Sequence, residues 1–356
     1  MSVLGVQGWL HTAGGDELIG FVRQGRPTIV KILDPHAASY ERLSALRSAS
    51  SSTIIVWRFV AYFEDRKGAV LSADPQTAER LAQEHYAELS AFLLPRRDLF
   101  DIVETLNEPS YAPSLLAYER AFARAAAKDG LRVGSFAFST GTPPEDVFPI
   151  LQSYAPEPNQ FFAPHEYCWN NSPQYSYHIG RYRRWIPPGA RFYIGETGQE
   201  PGGWRVWGYD QFKQLMAEID GYYEQDARCM GAAIFCWNSP GGGAWTDFAI
   251  FGTGLDAWLL DRITRVSPAQ NRRALLAAQV SAPQFFCGDI VTPKAYLNLR
   301  SSPQFAQNII RVMSPGERLV VREMLGTSWA RVVALNDMKE GWCAASYLLL
   351  LLRPCA

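Results

Sequence analysis

Two glutamates that follow strand-like apolar runs are the residues of this chain best suited to chemistry. Glu108 lies in the motif Asn107-Glu108-Pro109, and Glu196 ends a second apolar run within Gly-Glu-Thr-Gly. Proline cannot extend a strand ladder, so the first run stops at the carboxyl group. Two carboxyl groups at the ends of two strands are what hydrolysis of a glycosidic bond requires. The sequence therefore predicts a catalytic pair of carboxylates.

The separation of these two carboxyl groups would decide the outcome of the reaction. At about 5 Å one glutamate attacks the sugar carbon and the other protonates the leaving oxygen, so the anomeric configuration is retained. At about 7–9 Å a water molecule fits between them and the configuration is inverted. Spacing along the chain leaves both outcomes open.

Apolar runs alternate with amphipathic stretches over residues 3–264, and this alternation predicts the framework that positions the two glutamates. The runs are rich in Val, Ile and Phe, which is typical of parallel strands covered on both faces. The predicted strands are 3–8, 28–33, 53–60, 100–106, 132–138, 160–164, 191–195 and 232–237. The predicted helices are 15–23, 37–49, 75–94, 114–129, 144–154, 175–185, 209–226 and 255–264.

Eight strand–helix repeats within residues 1–264 predict an α/β fold, an eight-stranded (β/α)8 or TIM barrel. A doubly wound open sheet is the alternative, but no glycine-rich dinucleotide loop follows the first strand. In a barrel the carboxyl ends of all strands meet on one face. Glu108 follows the fourth strand and Glu196 the seventh, so their carboxyl groups can face one bond across the barrel mouth.

Composition argues against several other classes of function. The net charge is −1 and the pI is near 6.5, so no basic surface for nucleic acid or an anionic membrane is predicted. No apolar run reaches the roughly 18 residues of a membrane span. The glycines at 241–243 lack the Lys-Ser/Thr of a phosphate-binding loop, and no Cys/His spacing suits a metal. We expect neither a cofactor nor a metal.

Six cysteines, at positions 168, 229, 236, 287, 343 and 355, form no Cys-x-x-Cys pair, and their spacing selects no pairing. Most are expected to be small buried hydrophobic side chains. Cys287, Cys343 and Cys355 fall in the C-terminal segment, where a small domain would gain most from a disulfide.

The pattern changes after residue 264. Residues 265–288 contain prolines and an alanine-rich piece and are predicted to be a linker, and short β-like runs over 289–356 predict a small all-β barrel. The motifs at 297–303, 315–317, 329–332 and 341–348 resemble, in full order, the bacterial SH3-like (SH3b) domain. Members of that family often anchor secreted hydrolases to a cell wall or ligand, and others are purely structural.

The barrel carries a second resemblance. Asn107-Glu108-Pro109 after the fourth strand and Gly-Glu196-Thr-Gly after the seventh resemble clan A glycoside hydrolases, the group that contains families 5 and 39. The resemblance spans the barrel in layout and is sharp at a few positions. It implies that Glu108 is the general acid/base and Glu196 the nucleophile.

The same resemblance implies substrate-binding roles for further residues. Asn107 matches the residue that hydrogen-bonds the sugar 2-hydroxyl, and Arg58 matches the arginine that keeps the nucleophile ionised. His165 and Tyr167 match polar groups around the nucleophile. Trp237 matches the aromatic platform beneath the sugar.

Electrostatics then predicts opposite pKa shifts for the two carboxyl groups. A nearby arginine favours the charged form of Glu196 and lowers its pKa. That negative charge, with partial burial, should raise the pKa of Glu108, which then holds its proton near neutrality. Once Glu196 is glycosylated its charge is gone, so Glu108 can act as a base.

Trp169 and Trp204 lie in loops after the sixth and seventh predicted strands and are expected to stack on outer sugar units, with core or lid packing as the alternative. Glu104 and Glu166 are expected not to be catalytic, because Glu104 lies inside its strand and Glu166 sits between better candidates.

Together these features predict a retaining β-glycoside hydrolase that acts on an oligo- or polysaccharide. One alternative is a cell-wall (peptidoglycan) lytic glycosidase anchored by its SH3-like domain, and another is a non-catalytic carbohydrate-binding barrel. We expect a monomer without nucleic-acid or membrane partners. No signal peptide is visible before the first strand. This leaves three alternatives: an intracellular chain, a processed or trimmed form, or export by another route. An extracellular or cell-surface protein is the expectation.

Overall fold

The computed structural model describes two compact units, Met1–Gln152 with Asn159–Leu276 and Ser153–Pro158 with Ala277–Ala356. No described helix is both long and apolar enough to cross a membrane. Within these units, the residues left undescribed are 1, 34–38, 170–172, 174, 176, 240–243, 266–272, 274–275, 277–289, 294–295, 305–307, 326–328, 345–347 and 353–356.

Parallel strands build the first unit. They are β1 (Leu4–Gly8), β2 (Ile29–Leu33), β3 (Ile54–Arg58), β4 (Ile102–Glu104), β5 (Val133–Ser135), β6 (Gln160–Phe162), β7 (His165–Trp169), β8 (Phe192–Glu200) and β9 (Cys229–Ile234). β1 pairs with β2 and β9, and β6 pairs with β5 and β8, so the sheet closes on itself. β6 and β7 form one interrupted barrel strand, since both pair with β8. The described residues thus confirm the predicted eight-stranded TIM barrel.

Helices follow the strands along the chain. They are α1 (Gly15–Gly25), α2 (Ser39–Ala49), α3 (Val60–Ser72), α4 (Pro75–Leu93), α5 (Pro113–Lys128), α6 (Phe148–Gln152), α7 (Gly203–Trp207), α8 (Tyr209–Glu224) and α9 (Leu255–Arg265). α3 was not predicted, because only Phe63 and Val70 of its residues are buried and its apolar stripe is therefore weak.

The helix predicted over 175–185 is wrong for the described residues, which contain only a short 3-10 turn at Arg181–Arg184. Gly180 has a left-handed φ of +81°, and a Cβ there would come 2.1 Å from the Tyr222 hydroxyl oxygen. The carboxylate of Glu166 accepts hydrogen bonds from the backbone N–H groups of Gly180 and Tyr182. Bonds of this kind hold the segment as a turn.

The predicted linker, 265–288, lies mostly outside the described residues. Two of its described members pack on the barrel unit. Leu276 is buried in one cluster with Ile29 and Ile54, which are the first residues of β2 and β3. Arg273 forms an ion pair with Asp101 at 2.8 Å. Both of these described residues belong to the barrel unit, whose last residue is Leu276.

The second unit contains an antiparallel sheet. Its described strands are β10 (Ile290–Pro293), β11 (Leu297–Arg300), β12 (Ile309–Met313), β13 (Leu319–Leu325), β14 (Trp329–Ala334), β15 (Glu340–Ala344) and β16 (Leu348–Leu352). They pair in the order β12-β11-β15-β14-β13-β10-β16 around a core that includes Leu299, Val321 and Val332. This confirms the predicted small all-β domain.

The described cysteines, at 168, 229, 236 and 343, are buried. Burial raises the pKa of Cys343 to about 12, so this thiol remains protonated near neutrality. Cys287 and Cys355, its predicted candidates for pairing, lie outside the described residues.

A buried carboxyl group on α5 makes the stability of the barrel pH-dependent. The Thr105 hydroxyl donates to Glu119, yet burial outweighs this bond and raises the pKa of Glu119 from 4.5 to about 7. Its contribution to stability is therefore fully present below about pH 4.5 and is lost as the pH rises through about 7. Between these values we expect the free energy of unfolding to fall by about 3 kcal/mol relative to a Glu119→Gln variant.

Urea unfolding of both proteins from about pH 4 to pH 8 measures this difference. Because glutamine occupies the same volume without titrating, parallel pH profiles of the two proteins would contradict the assignment.

Candidate active site

Glu108 is placed by the chain that leaves β4. Asn107 bridges to Ala137 in parallel register, and the Glu108 N–H donates to the Ala137 carbonyl at 2.9 Å. Glu108 has a φ of +42°, a left-handed conformation that costs a non-glycine residue about 1–2 kcal/mol. A strained residue persists only where the surrounding structure holds it in place, and such residues are concentrated at functional sites.

Glu196 lies within β8, opposite His165 of β7 in the parallel register. Its side chain is only 11% exposed. Arg58 donates to Oε1 at 3.0 Å, and the Tyr167 hydroxyl donates to Oε2 at 2.8 Å. A third donor, Lys31, reaches Oε1 at 3.3 Å.

Barrel closure brings the two predicted catalytic carboxylates together. One ligand atom each of Glu108, His165 and Glu196 lie within 4.8 Å of one another, and the Glu108 side chain is 36% exposed. This spacing alone would also suit a metal ion. However, the ammonium of Lys31 and the guanidinium of Arg58 already contact Glu196 and oppose a divalent cation electrostatically.

The pKa of Glu196 shifts in the predicted direction. Burial by itself raises this pKa, but the charge of His165 when its ring is protonated and the positive charges of Lys31 and Arg58 outweigh it. The hydrogen bond from Tyr167 acts in the same direction as those charges. The pKa therefore lies well below its usual range, and Glu196 is ionised at neutral pH, as a nucleophile must be.

The predicted rise in the pKa of Glu108 is wrong for this arrangement. Burial, the largest influence, raises the pKa, and the charge of Glu196 does the same. Hydrogen bonds from His165 and Ser139, together with the charge that His165 carries when its ring is protonated, outweigh both and lower the pKa. The state of Glu108 therefore depends on its 3.1 Å contact with His165 Nδ1.

Asn107 and Lys67 complete the surroundings of Glu108. The Lys67 ammonium donates to the Asn107 carbonyl at 3.0 Å. Asn107 Oδ1 is buried and has no hydrogen-bond partner among the described residues.

The structure does not place Trp237 at the carboxylates, which corrects its predicted role as a platform. Trp237 is 3% exposed, its indole N–H donates to the Gly14 carbonyl, and its ring stacks on Phe251. Phe235, two residues earlier, packs edge-on against Tyr167 instead. Trp245, which is half exposed, contacts Phe235 with ring centroids 5.2 Å apart.

Trp169 and Trp204, the predicted outer stacking residues, lie near the carboxyl-terminal ends of β7 and β8. Trp169 ends β7, is 39% exposed and has its ring 6.3 Å from that of His178. Trp204 lies in α7, half-buried, with its indole N–H donating to the Ala249 carbonyl at 2.9 Å. Trp169 therefore offers more open ring surface to a ligand.

Three further charged residues lie near Glu108 and Glu196. The sequence analysis did not single out Lys31 and Glu200, and it predicted Glu104 to be non-catalytic. Glu104, fully buried, pairs with Lys31 at 2.6 Å and accepts from the Tyr193 hydroxyl, so it anchors the cations that face Glu196. Glu200 ends β8 close enough to be influenced by the charges of Glu108 and Glu196. Lys31 could have been found from the sequence, because it stands inside the apolar run of the predicted strand 28–33. A charge in a strand that is buried on both faces requires a partner of opposite charge.

The C-terminal segment has a recognisable family. Residues 295–348 match the bacterial SH3 domain. This confirms the predicted resemblance for that segment. No curated protein matches the chain as a sequence relative.

The barrel is similar to solved glycoside hydrolase structures. The endoglucanase Cel5A of Pseudomonas stutzeri in complex with cellobiose has a TM-score of 0.51 at 11% identity, covering 75% of this chain and 94% of that one. A β-glucuronidase from Ruminococcus gnavus in complex with D-glucuronic acid has a TM-score of 0.50 at 13% identity, covering 74% of this chain. The matched region spans 49% of the glucuronidase's length. At these identities the likeness shows a shared fold.

Proposed function

We propose that this protein is a retaining β-glycoside hydrolase that cleaves an oligo- or polysaccharide. The observation that carries the proposal is the pair Glu108 and Glu196, in which one carboxylate oxygen of each lies within 4.8 Å of the other. This gap resembles the ~5 Å of retaining enzymes and is shorter than the ~7–9 Å that accommodates a water in inverting ones. The β configuration and the substrate class follow the resemblance to clan A enzymes and to the endoglucanase fold.

In the first step Glu196 attacks the anomeric carbon and forms a glycosyl ester, while the bond to the leaving oxygen breaks. Glu108 transfers its proton to that oxygen and becomes a carboxylate. Arg58 and Tyr167 hold the Glu196 carboxylate in place by hydrogen bonds to its two oxygens. These groups are preorganised, so little rearrangement opposes the reaction.

In the second step the Glu108 carboxylate accepts a proton from water, whose oxygen attacks the same carbon and releases Glu196. Esterification has removed the negative charge of Glu196, which in the free enzyme raises the pKa of Glu108. The loss of this charge favours the base form of Glu108. The bond to the sugar 2-hydroxyl is assigned to Asn107, whose Oδ1 has no hydrogen-bond partner among the described residues.

Exposed aromatic rings on two loops favour an extended substrate. Trp169 lies at the end of β7, and Trp245 follows β9 and packs on Phe235, so the two exposed rings follow or end two different barrel strands. Aromatic faces stack on the apolar faces of sugar rings. We therefore expect a chain of sugars to bind across the mouth.

The stereochemistry of the first-formed product tests this mechanism. Proton NMR during hydrolysis of an aryl β-glycoside is expected to show the β-anomer first, followed by slow mutarotation to the α-anomer, because two displacements at one carbon restore its configuration. A first-formed α-anomer would instead indicate inversion, and a chemically hydrolysed sample provides the equilibrium reference.

A lytic enzyme of the bacterial cell wall is the second candidate, and the match of residues 295–348 to the bacterial SH3 domain favours it. In that case the substrate is the glycan of peptidoglycan, and the protein acts outside the cell or at the cell surface.

Sedimentation with purified cell walls tests the anchoring role. The full chain is expected to pellet with walls at least about tenfold more than a chain that ends at Leu276, since tethering raises the local concentration. Ending the truncated chain at Leu276 preserves the barrel packing of that residue. Turnover of a soluble aryl glycoside is the control and should remain within about twofold; equal pelleting of both chains would reject anchoring.

A further inference from the structure

Lys31 is a buried cation of the site with an unusual set of partners. It lies in β2 and is 0% exposed. Three acceptor atoms surround its ammonium: Glu104 Oε1 at 2.6 Å, Glu196 Oε1 at 3.3 Å and His165 Nε2 at 3.5 Å. An ammonium has three hydrogens and cannot accept a bond. Because buried N–H groups require partners, one hydrogen is directed to each of these atoms.

This arrangement determines which ring nitrogen of His165 carries a hydrogen. Nε2 can accept from Lys31 only through a free lone pair, so the hydrogen of the neutral ring lies on Nδ1. Nδ1 is 3.1 Å from Glu108 Oε1, which accepts its hydrogen, and 3.5 Å from Glu196 Oε2. We propose that Lys31 is a positioning residue that keeps His165 neutral, with its hydrogen on Nδ1.

The charges on the neighbouring strands leave one proton to be assigned. Lys31 and Arg58 are balanced by Glu104 and Glu196, all within 3.3 Å of an opposite charge. Tyr167 donates its hydroxyl hydrogen to Glu196, and Glu200 adds a carboxylate at the end of β8. The remaining proton resides on either Glu108 or His165. An ammonium 3.5 Å from Nε2 disfavours a charged imidazole, so the proton remains on Glu108.

The consequence concerns the acid step and therefore rests on the proposed hydrolase function. The Nδ1 hydrogen occupies Glu108 Oε1, so the catalytic proton is confined to Oε2. It passes from Oε2 to the leaving oxygen, and a proton from water later returns to the same atom. His165 keeps its own hydrogen throughout. A charged His165 would hold Glu108 as a carboxylate and deprive the first step of its acid.

Nitrogen NMR of protein labelled at histidine tests the tautomer directly, without substrate. The His165 signals, assigned with a His165→Asn variant, are expected to show protonated Nδ1 and unprotonated Nε2 from about pH 5 to pH 8. Lys31→Met should add a hydrogen to Nε2 at the lower end of this range. Arg58→Met is the matched control, because it removes a cation from Glu196 and Glu104 without touching Nε2, and its ring signals should not change.

Kinetics provide a second readout. Lys31→Met is expected to lower kcat about 10²-fold for an alkyl glycoside, whose leaving group needs the acid, and about tenfold or less for a dinitrophenyl glycoside. Arg58→Met should reduce both rates by similar factors, since it acts on the nucleophile. A protonated Nε2 in the wild type, or equal losses on both substrates in Lys31→Met, would overturn the proposal.

If Lys31→Met does not fold, the wild-type spectrum alone decides. Absence of hydrolysis by the wild type would reject the proposed function, whereas the spectra would still report the tautomer.

Discussion

Glu196→Gln is expected to lower hydrolysis of an aryl β-glycoside by at least about 10⁴-fold, because the amide cannot form the glycosyl ester. The side chain accepts from Arg58 and Tyr167 at 3.0 and 2.8 Å, and glutamine preserves its shape while losing the charge. The measurement is kcat/KM from released phenol, with circular dichroism to verify folding. Glu79→Gln, an exposed site on α4, is the control for the substitution itself.

Azide sharpens this test. In a Glu196→Ala variant a small anion can enter the space left by the carboxylate and attack from that face, and the expected product is the α-glycosyl azide. Turnover by Glu196→Gln that equals the wild-type rate would reject the nucleophile assignment. Binding of oligosaccharides without turnover in the wild type would favour the non-catalytic carbohydrate-binding barrel instead.

Glu108→Ala is expected to show a loss that depends on the leaving group. For an alkyl glycoside kcat should fall about 10³-fold, because the departing oxygen then lacks a proton donor. For a dinitrophenyl glycoside the first step needs no acid, so only release of the ester, which requires the base, becomes slow. We therefore expect a burst of phenol followed by a low steady rate, measured by stopped-flow absorbance.

The same variant separates the two glutamates by stereochemistry. Azide should accelerate the steady rate of Glu108→Ala and yield the β-glycosyl azide, since it attacks the ester from the face where Glu108 stood. An α-glycosyl azide from this variant would show that Glu108 is the nucleophile and Glu196 the acid/base. Equal losses on both substrates would show that Glu108 is not the acid.

Local pattern was sufficient for the barrel and for selecting the two glutamates. Dense apolar runs rich in Val, Ile and Phe are typical of strands buried on both faces, and such runs end where polar motifs begin. Asn107-Glu108-Pro109 ends such a run by chain chemistry alone, and Asp74-Pro75 begins α4, with the Asp74 carboxylate accepting from the Thr77 N–H. These features depend on neighbours in sequence.

Trp237 shows where local pattern fails. β9 ends at Ile234, and beyond it the alternation of side chains no longer determines which residue faces the mouth. The backbone N–H of Trp237 donates to the Gln7 carbonyl, and the indole ring is buried and stacks on Phe251. Phe235, and not Trp237, therefore packs against Tyr167, which donates to Glu196.

The sequence by itself determined the barrel and the SH3-like segment and singled out the two glutamates, because short-range periodicity and turn chemistry specify these. It did not determine the strand ends, since Glu196 lies within β8, which runs to Glu200, and Glu108 lies beyond β4, which ends at Glu104. Tertiary structure alone decided the gap between the carboxylates, the direction of the Glu108 pKa and the role of Lys31. Lys31 meets Glu196 across 165 residues of chain, and His165 across 134. Contacts of such separation exist only once the sheet has closed, and the charges they bring together set the protonation states on which the chemistry depends.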